Sequence, residues 1–437
     1  MTARSLAQPG PSQPRLAAVA AALALALPLA AGLAAPASAQ TIAITGGTVH
    51  PVSGPRIERG TVLLRDGRVV AVGGADLAVP AGAERVDATG KWVTPGLFHP
   101  ATNLGLVLTE IGAQPQTQED AKEGDIDAAI NPLDALNPAM MTLPVARSEG
   151  ITTAVTSPSG GLVAGQSVVV DLDGASAAAM AARTPAAMLV DLGENAKRAG
   201  GGSRAGTVEL LRRLLADARE FPRRRAEFER NAIRPLAASA QDLAALQPVL
   251  RGEIPMYVIA NRRSDIETAL RIGREFGLRL VIAGGVEAWQ VADSLAARRV
   301  PVVVHSYSDI PSFEGPAARL DNAALLAKAG VPVLITDGGS NAHFRNLRYA
   351  AGEAVRHGLP WDRALAGITL EPARAFGLGE RYGSLEAGKV ANVVIWSGDP
   401  LDFGSHAERV WIRGREVPTT SRQTELLERY RTLPPKY

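Results

Sequence analysis

The 437-residue chain contains no cysteine, which excludes disulfides, thiolate chemistry and anchoring through a lipidated cysteine. Aromatic residues make up only 4% of it, too few for the stacking platforms that hold nucleic acids or sugars. Histidine is scarce as well, at six residues. Positive charge is not in real surplus, since the formal net charge is +2 and both excess charges trace to the N-terminus.

Residues 1–39 follow a logic of their own. Arg4 and Arg15 are their only charges, an Ala/Leu-rich apolar stretch runs from Leu16 to about Leu33, and Ala37-Ser38-Ala39 precedes Gln40. This pattern predicts a cleaved secretory signal peptide and a periplasmic or secreted protein. An uncleaved membrane anchor is the alternative, because the apolar run approaches the roughly 20 residues that span a bilayer. The A-x-A site and the interrupting Pro28 favour cleavage, which leaves no membrane association. Cleavage removes two arginines and no acids, leaving 44 basic and 44 acidic residues. A balanced chain lacks the electrostatic footprint of a nucleic-acid-binding protein. The Arg223-Arg224-Arg225 run, diluted by Glu220, Glu227 and Glu229, reads as a solvated helix face.

About 398 residues remain, enough for one large α/β barrel and a smaller appendage. Residues 40–94 carry short alternating strands punctuated by glycine, with Asp66-Gly67 a strong hairpin signal. From 95 to 382, apolar runs such as TTAVT, AAMLVDL, PMYVIA, LRLVIAGG, PVVVHSY and PVLITDG alternate with helical stretches, among them Val208 to Phe221 and Asp265 to Phe276. That alternation predicts a parallel sheet closed as a (β/α)8, TIM-like barrel. Residues 383–437 return to short strands, so a small discontinuous β-sandwich is expected from the two ends of the chain.

Several motifs share one order and spacing: GGTVHPVSG, VTPGL, EGITTAV, GLVAGQSVVV, LGENAKR at 192–198, ITLEPARAFGL at 368–378 and GSLEAGKVANVVIWSGDPL at 383–401. In these the chain resembles the imidazolonepropionase-like branch of the amidohydrolase superfamily. The resemblance implies a hydrolase of carbon–nitrogen bonds with metal ligands at the C-terminal ends of the barrel strands. The family's first barrel strand usually reads PGLID-x-H-x-H, which sets two imidazoles on one face of a strand to grip a metal. Here the two histidine positions are Ala101 and Asn103. Alanine has no lone pair, and an amide oxygen suits hard cations better than zinc-like ions. Two later ligand positions hold Ile259 and Gly284. Asp337, in VLITDG, stands where the family has its ligand and proton-shuttling aspartate, and Glu194 matches a carboxylate that bridges metals in this branch.

Each survivor has a plainer reading. Asp337-Gly338-Gly339-Ser340 is also ordinary turn chemistry, and Glu194-Asn195 also reads as a turn and cap. His99 shares the strand alternation of positions 101 and 103 but lies deeper, toward the barrel floor. His305 and His343 fall in loops that reach the barrel mouth, so one zinc-like ion held among Asp337, Glu194, His305 and His343 is conceivable, as is no cofactor at all. Ser157, Ser159 and Ser306 sit in suitable loops but lack a G-x-S-x-G elbow. Trp289, Tyr307, Phe313, Phe344 and Tyr349 are candidate lining residues for an organic ligand. Three functions stay open: a catalytically reduced partner, in a homo- or hetero-oligomer, of an active amidohydrolase homologue; a one-metal hydrolase centred on Asp337; and a small-molecule-binding module in the emptied pocket.

Overall fold

The computed structural model describes residues 41–109, 116–117, 125–230, 232–307, 309–338 and 343–432. The signal peptide expected over residues 1–39 lies outside them. Among the described residues, no helix is long and apolar enough to cross a membrane.

The glycine-punctuated segments at the two ends of the chain build one eight-stranded sheet. Its order is Arg415–Val417, Ala407–Ile412, Val393–Trp396, Trp92–Pro95, Ile42–Val49, Ile57–Arg65 and Arg68–Gly73, with Glu84–Asp87 paired to Ile42–Val49 beside the main path. Asp66 and Gly67 both take positive φ, 54° and 74°, which is the geometry a two-residue hairpin needs where strand twist must be matched. Ile44, Val62 and Val93 share one apolar core with Val393 and Trp411, so the sheet folds over itself and buries both ends of the chain together.

The second eight-stranded sheet is a nearly closed barrel. It runs Val333–Ile335, Val302–Val304, Leu280–Gly284, Met256–Ala260, Ala181–Asp191, Val163–Asp171, Ile151–Thr156 and Leu97–Thr102. The two outermost strands approach each other without a hydrogen-bonded ladder among the described residues. The sheet departs from the all-parallel expectation at one strand, because Val163–Asp171 is antiparallel to both neighbours. The physical reason is the short connection after Thr156. Parallel neighbours need a crossover of about a dozen residues or more, and this loop is far shorter.

Inward-facing Phe98, Val155, Tyr257, Val281, Val303 and Leu334 fill the barrel, and Phe376 and Tyr382 pack into the same cluster. Outside, helices lie with one apolar face on the sheet. In Arg263–Phe276 the buried residues Ile266, Ala269, Leu270, Gly273 and Phe276 recur at helical spacing, and Gly277 at φ 69° ends the helix in the left-handed conformation. A polar knot ties the barrel to the small sheet. Fully buried Asp171 accepts hydrogen bonds from Thr153 Oγ1 (3.0 Å), Asn392 Nδ2 (3.0 Å), Tyr382 OH (2.9 Å) and Arg413 Nε (2.6 Å).

Candidate functional site

The strands of a barrel deliver their C-terminal ends to one rim, and the family-implied ligand positions all sit there. A cavity of about 260 Å3 opens between them, lined by Ala101, Asn103, Ser157, Tyr257, Ile259 and Gly338 among others. Its walls are largely aliphatic. None of the five aromatics expected at the mouth lines it: Phe344 is buried in the core, Phe313 is 95% exposed, Tyr349 stacks on Phe403, Trp289 Nε1 donates to Ala317 O, and Tyr307 OH donates to Asp337 O.

Asp337 follows the last barrel strand and is fully buried. Its Oδ1 lies 3.0 Å from Nε2 of His99, also fully buried, and its Oδ2 accepts the Asn346 N–H at 3.1 Å. His99 Nδ1 accepts the Ala101 N–H at 3.3 Å. An Nδ1 that accepts leaves the proton of a neutral ring on Nε2, so His99 donates to the carboxylate. This corrects the expected alternation. The ladder with Ile151–Thr156 shifts register between His99 and Thr102, so Phe98 and Ala101 both pack into the barrel interior while His99 meets Asp337.

His305 adjoins the pair. A side chain at Gly338, which has φ 98°, would come within 2.9 Å of its ring, and Tyr307 packs edge-on against it at 4.6 Å. Burial holds the His305 imidazole below its usual pKa, against the opposing pull of Asp337. Just beyond, Asp309 is buried with Oδ2 bonded to Asn322 Nδ2 at 3.0 Å and no partner for Oδ1 among the described residues. Burial pushes its carboxyl up to about 7.

The donor set does not fit the metal centre that the superfamily implies. Ala101 and Ile259 carry no donor atom. Gly284 adopts φ 85°, a conformation that residues with a side chain rarely take, and a Cβ built there would lie 2.1 Å from Asn261 Oδ1, so a histidine would strain the backbone and displace the Asn261 amide. Among the described residues no three His, Asp or Glu side chains group to hold one ion. Glu194 instead pairs with Lys197 and with Arg204 (2.9 Å), whose guanidinium also reaches Asp265 (3.2 Å) and Glu314 (3.1 Å). His343 is exposed, near enough to His305 to lower its basicity through charge. Ser157 donates to Ser167 Oγ at 2.7 Å, Ser159 is exposed, and Ser306 Oγ is buried with no partner among the described residues.

Comparison with known proteins agrees with this architecture. The amidohydrolase family model matches residues 317–422. Amidohydrolase tasK of Hapsidospora irregularis is 25% identical over 82% of this chain, which spans only 39% of that much longer protein. An imidazolonepropionase of Mesorhizobium japonicum is 28% identical over 82% of this chain and 90% of its own length. Among solved structures, an amidohydrolase of Thermotoga maritima superposes with a TM-score of 0.79 at 29% identity, covering 86% of this chain and 99% of that one. Barrel, appended sheet and sequence likeness together make this chain a member of the amidohydrolase superfamily. Within it, the chain is similar to imidazolonepropionases over most of its length.

Proposed function

We propose that this is an exported amidohydrolase-family protein whose barrel mouth has given up metal-hydroxide chemistry and that it serves as a non-catalytic partner of an active homologue. The observation that carries the reading is the pairing of buried Asp337 with His99 Nε2 at 3.0 Å, where the superfamily resemblance implies a metal facing the aspartate. An imidazole N–H satisfies the carboxylate without activating water. The difference in magnitude is large: a zinc-like ion lowers the pKa of bound water from about 15.7 to about 7, and no neutral hydrogen-bond donor approaches that effect. With Oδ1 and Oδ2 both bonded, Asp337 is held as a structural group. Export rests on the leader-like sequence of residues 1–39, and the oligomeric partner on the loss of chemistry from a retained scaffold.

A second reading has its own support, the 260 Å3 cavity left at the mouth. Its aliphatic walls and the polar groups of Asn103 and Ser157 suit a small, mostly apolar organic molecule.

The test is a turnover screen of the purified protein against lactams, simple amides and dipeptides, with and without added zinc or manganese. The expected result is no rate above background in either condition. Metal-dependent turnover that disappears in Asp337→Asn would overturn the proposal.

A further inference from the structure

The opposite end of the barrel, where the strands begin, holds a second feature. A cavity of about 790 Å3 there is lined by five arginines, Arg279, Arg298, Arg299, Arg363 and Arg374, against a single carboxylate, Glu371. That carboxylate is already paired with Arg374 at 2.9 Å. Arg298 and Arg279 donate to the main-chain carbonyls of Leu270 (2.7 Å) and Gly252 (3.3 Å), contacts that orient a guanidinium without neutralising it. Arg183 stands beside this group, its guanidinium held below its usual value first by burial and then by the charge of Arg279.

Composition does not force such crowding, because residues 40–437 carry equal numbers of basic and acidic side chains. The surplus is therefore local. It is also bounded: Arg363, Glu371 and Arg374 lead into a neighbouring cavity of about 990 Å3, where Asp362, Glu380, Glu386 and Asp399 restore the balance. Guanidinium groups present paired N–H donors that match phosphate and carboxylate oxygens, so incompletely neutralised arginines lining one cavity define a ligand chemistry.

We propose that this cleft at the N-terminal end of the barrel strands is a binding site for a compact multivalent anion, a small molecule carrying two or more phosphate or carboxylate groups. The site is independent of the mouth and of whether the mouth is catalytic.

Inorganic pyrophosphate is the probe, titrated into the folded full chain by calorimetry in the absence of divalent cations, at low and at physiological ionic strength. Saturable one-to-one binding that weakens with salt is expected. The triple variant Arg279→Gln/Arg299→Gln/Arg363→Gln should bind at least about tenfold more weakly, since hydrogen bonds to charged groups contribute about that much. A charge-matched control, Arg223→Gln/Arg224→Gln/Arg225→Gln, alters an exposed helix face whose arginines pair with Glu220, Glu227 and Glu229. It should change affinity less than about threefold, as expected for a purely long-range, screened effect. If circular dichroism finds the cleft variant misfolded, Arg363→Gln alone carries the test, with an expected loss of at least about fivefold, above the limit set for the control. Absence of saturable binding, or equal losses in the cleft and control variants, would overturn the proposal.

Discussion

The knot around Asp171 and the mouth around Asp337 are both buried carboxylate sites, yet they are finished to different standards. Asp171 accepts four hydrogen bonds from side chains that join the barrel to the small sheet. At the mouth, Asp337 meets the His99 imidazole and the Asn346 backbone N–H beside His305 and Tyr307, while Asp309 Oδ1 and Ser306 Oγ are buried without partners among the described residues. Buried polar groups are normally hydrogen-bonded, because leaving one unmet costs about 1–3 kcal/mol. The contrast teaches that Asp171 is closed into a network joining two sheets, whereas polar atoms beside Asp337 keep hydrogen-bonding capacity unused among the described residues.

Removing the centre of the knot should have the largest effect. Asp171→Ala leaves Arg413 without its carboxylate and unbinds Tyr382 and Asn392, so a loss of about 3–5 kcal/mol in urea unfolding is expected. A loss below 1 kcal/mol would erase the distinction between the two regions.

Asp309 should behave in the opposite sense. Its pKa is near 7 in the fold and near the ordinary 3.8 when unfolded, so between those values the unfolded chain releases a proton that the native one keeps. Stability therefore falls as pH rises from about 4 to about 7, then levels off. Asp309→Asn, which can still accept from Asn322, should stabilise the protein by up to about 4 kcal/mol at pH 8 and by almost nothing at pH 4. Thermal unfolding at the two pH values reads this directly, and an equal effect at both would show that ionisation is not involved.

The pair at the mouth can be tested by a double-mutant cycle. His99→Ala and Asp337→Ala should each destabilise, with a coupling of about 1–3 kcal/mol between them. Additive losses would mean the two side chains do not hold each other.

The smallest effect belongs to Arg299, which adopts φ 50°. Arg299→Gly relieves the left-handed conformation and should stabilise by about 0.5–1 kcal/mol, while weakening pyrophosphate binding. Gain of stability with unchanged binding would separate Arg299 from the cleft.

Much of the scaffold was legible from residue patterns. The Asp66-Gly67 hairpin, the apolar spacing of Arg263–Phe276 and the motif order each rest on interactions between residues close in sequence, which is where such patterns carry information. The absence of donors at Ala101 and Ile259 was equally plain. What stayed hidden depends on distant partners or on one-residue irregularities. His99 meets Asp337 only because the ladder shifts register after it, and a bulge of this kind leaves no mark on strand alternation. The positive φ of Gly284 and its contact with the Asn261 amide, on the neighbouring strand end, are likewise set by tertiary structure. The antiparallel strand Val163–Asp171 had a visible signal in the short loop after Thr156, but its apolar run looked like any buried parallel strand. The arginine cleft gathers residues scattered between 279 and 374, so no local charge run announces it.

Whether Asp337 serves His99 alone, as proposed, or also holds a metal is decided by elemental analysis of the protein purified without a histidine tag or chelators. Zinc, manganese and iron are expected well below stoichiometric levels, with the same low values in Asp337→Ala. Near-stoichiometric metal that is lost in Asp337→Ala would contradict the proposal.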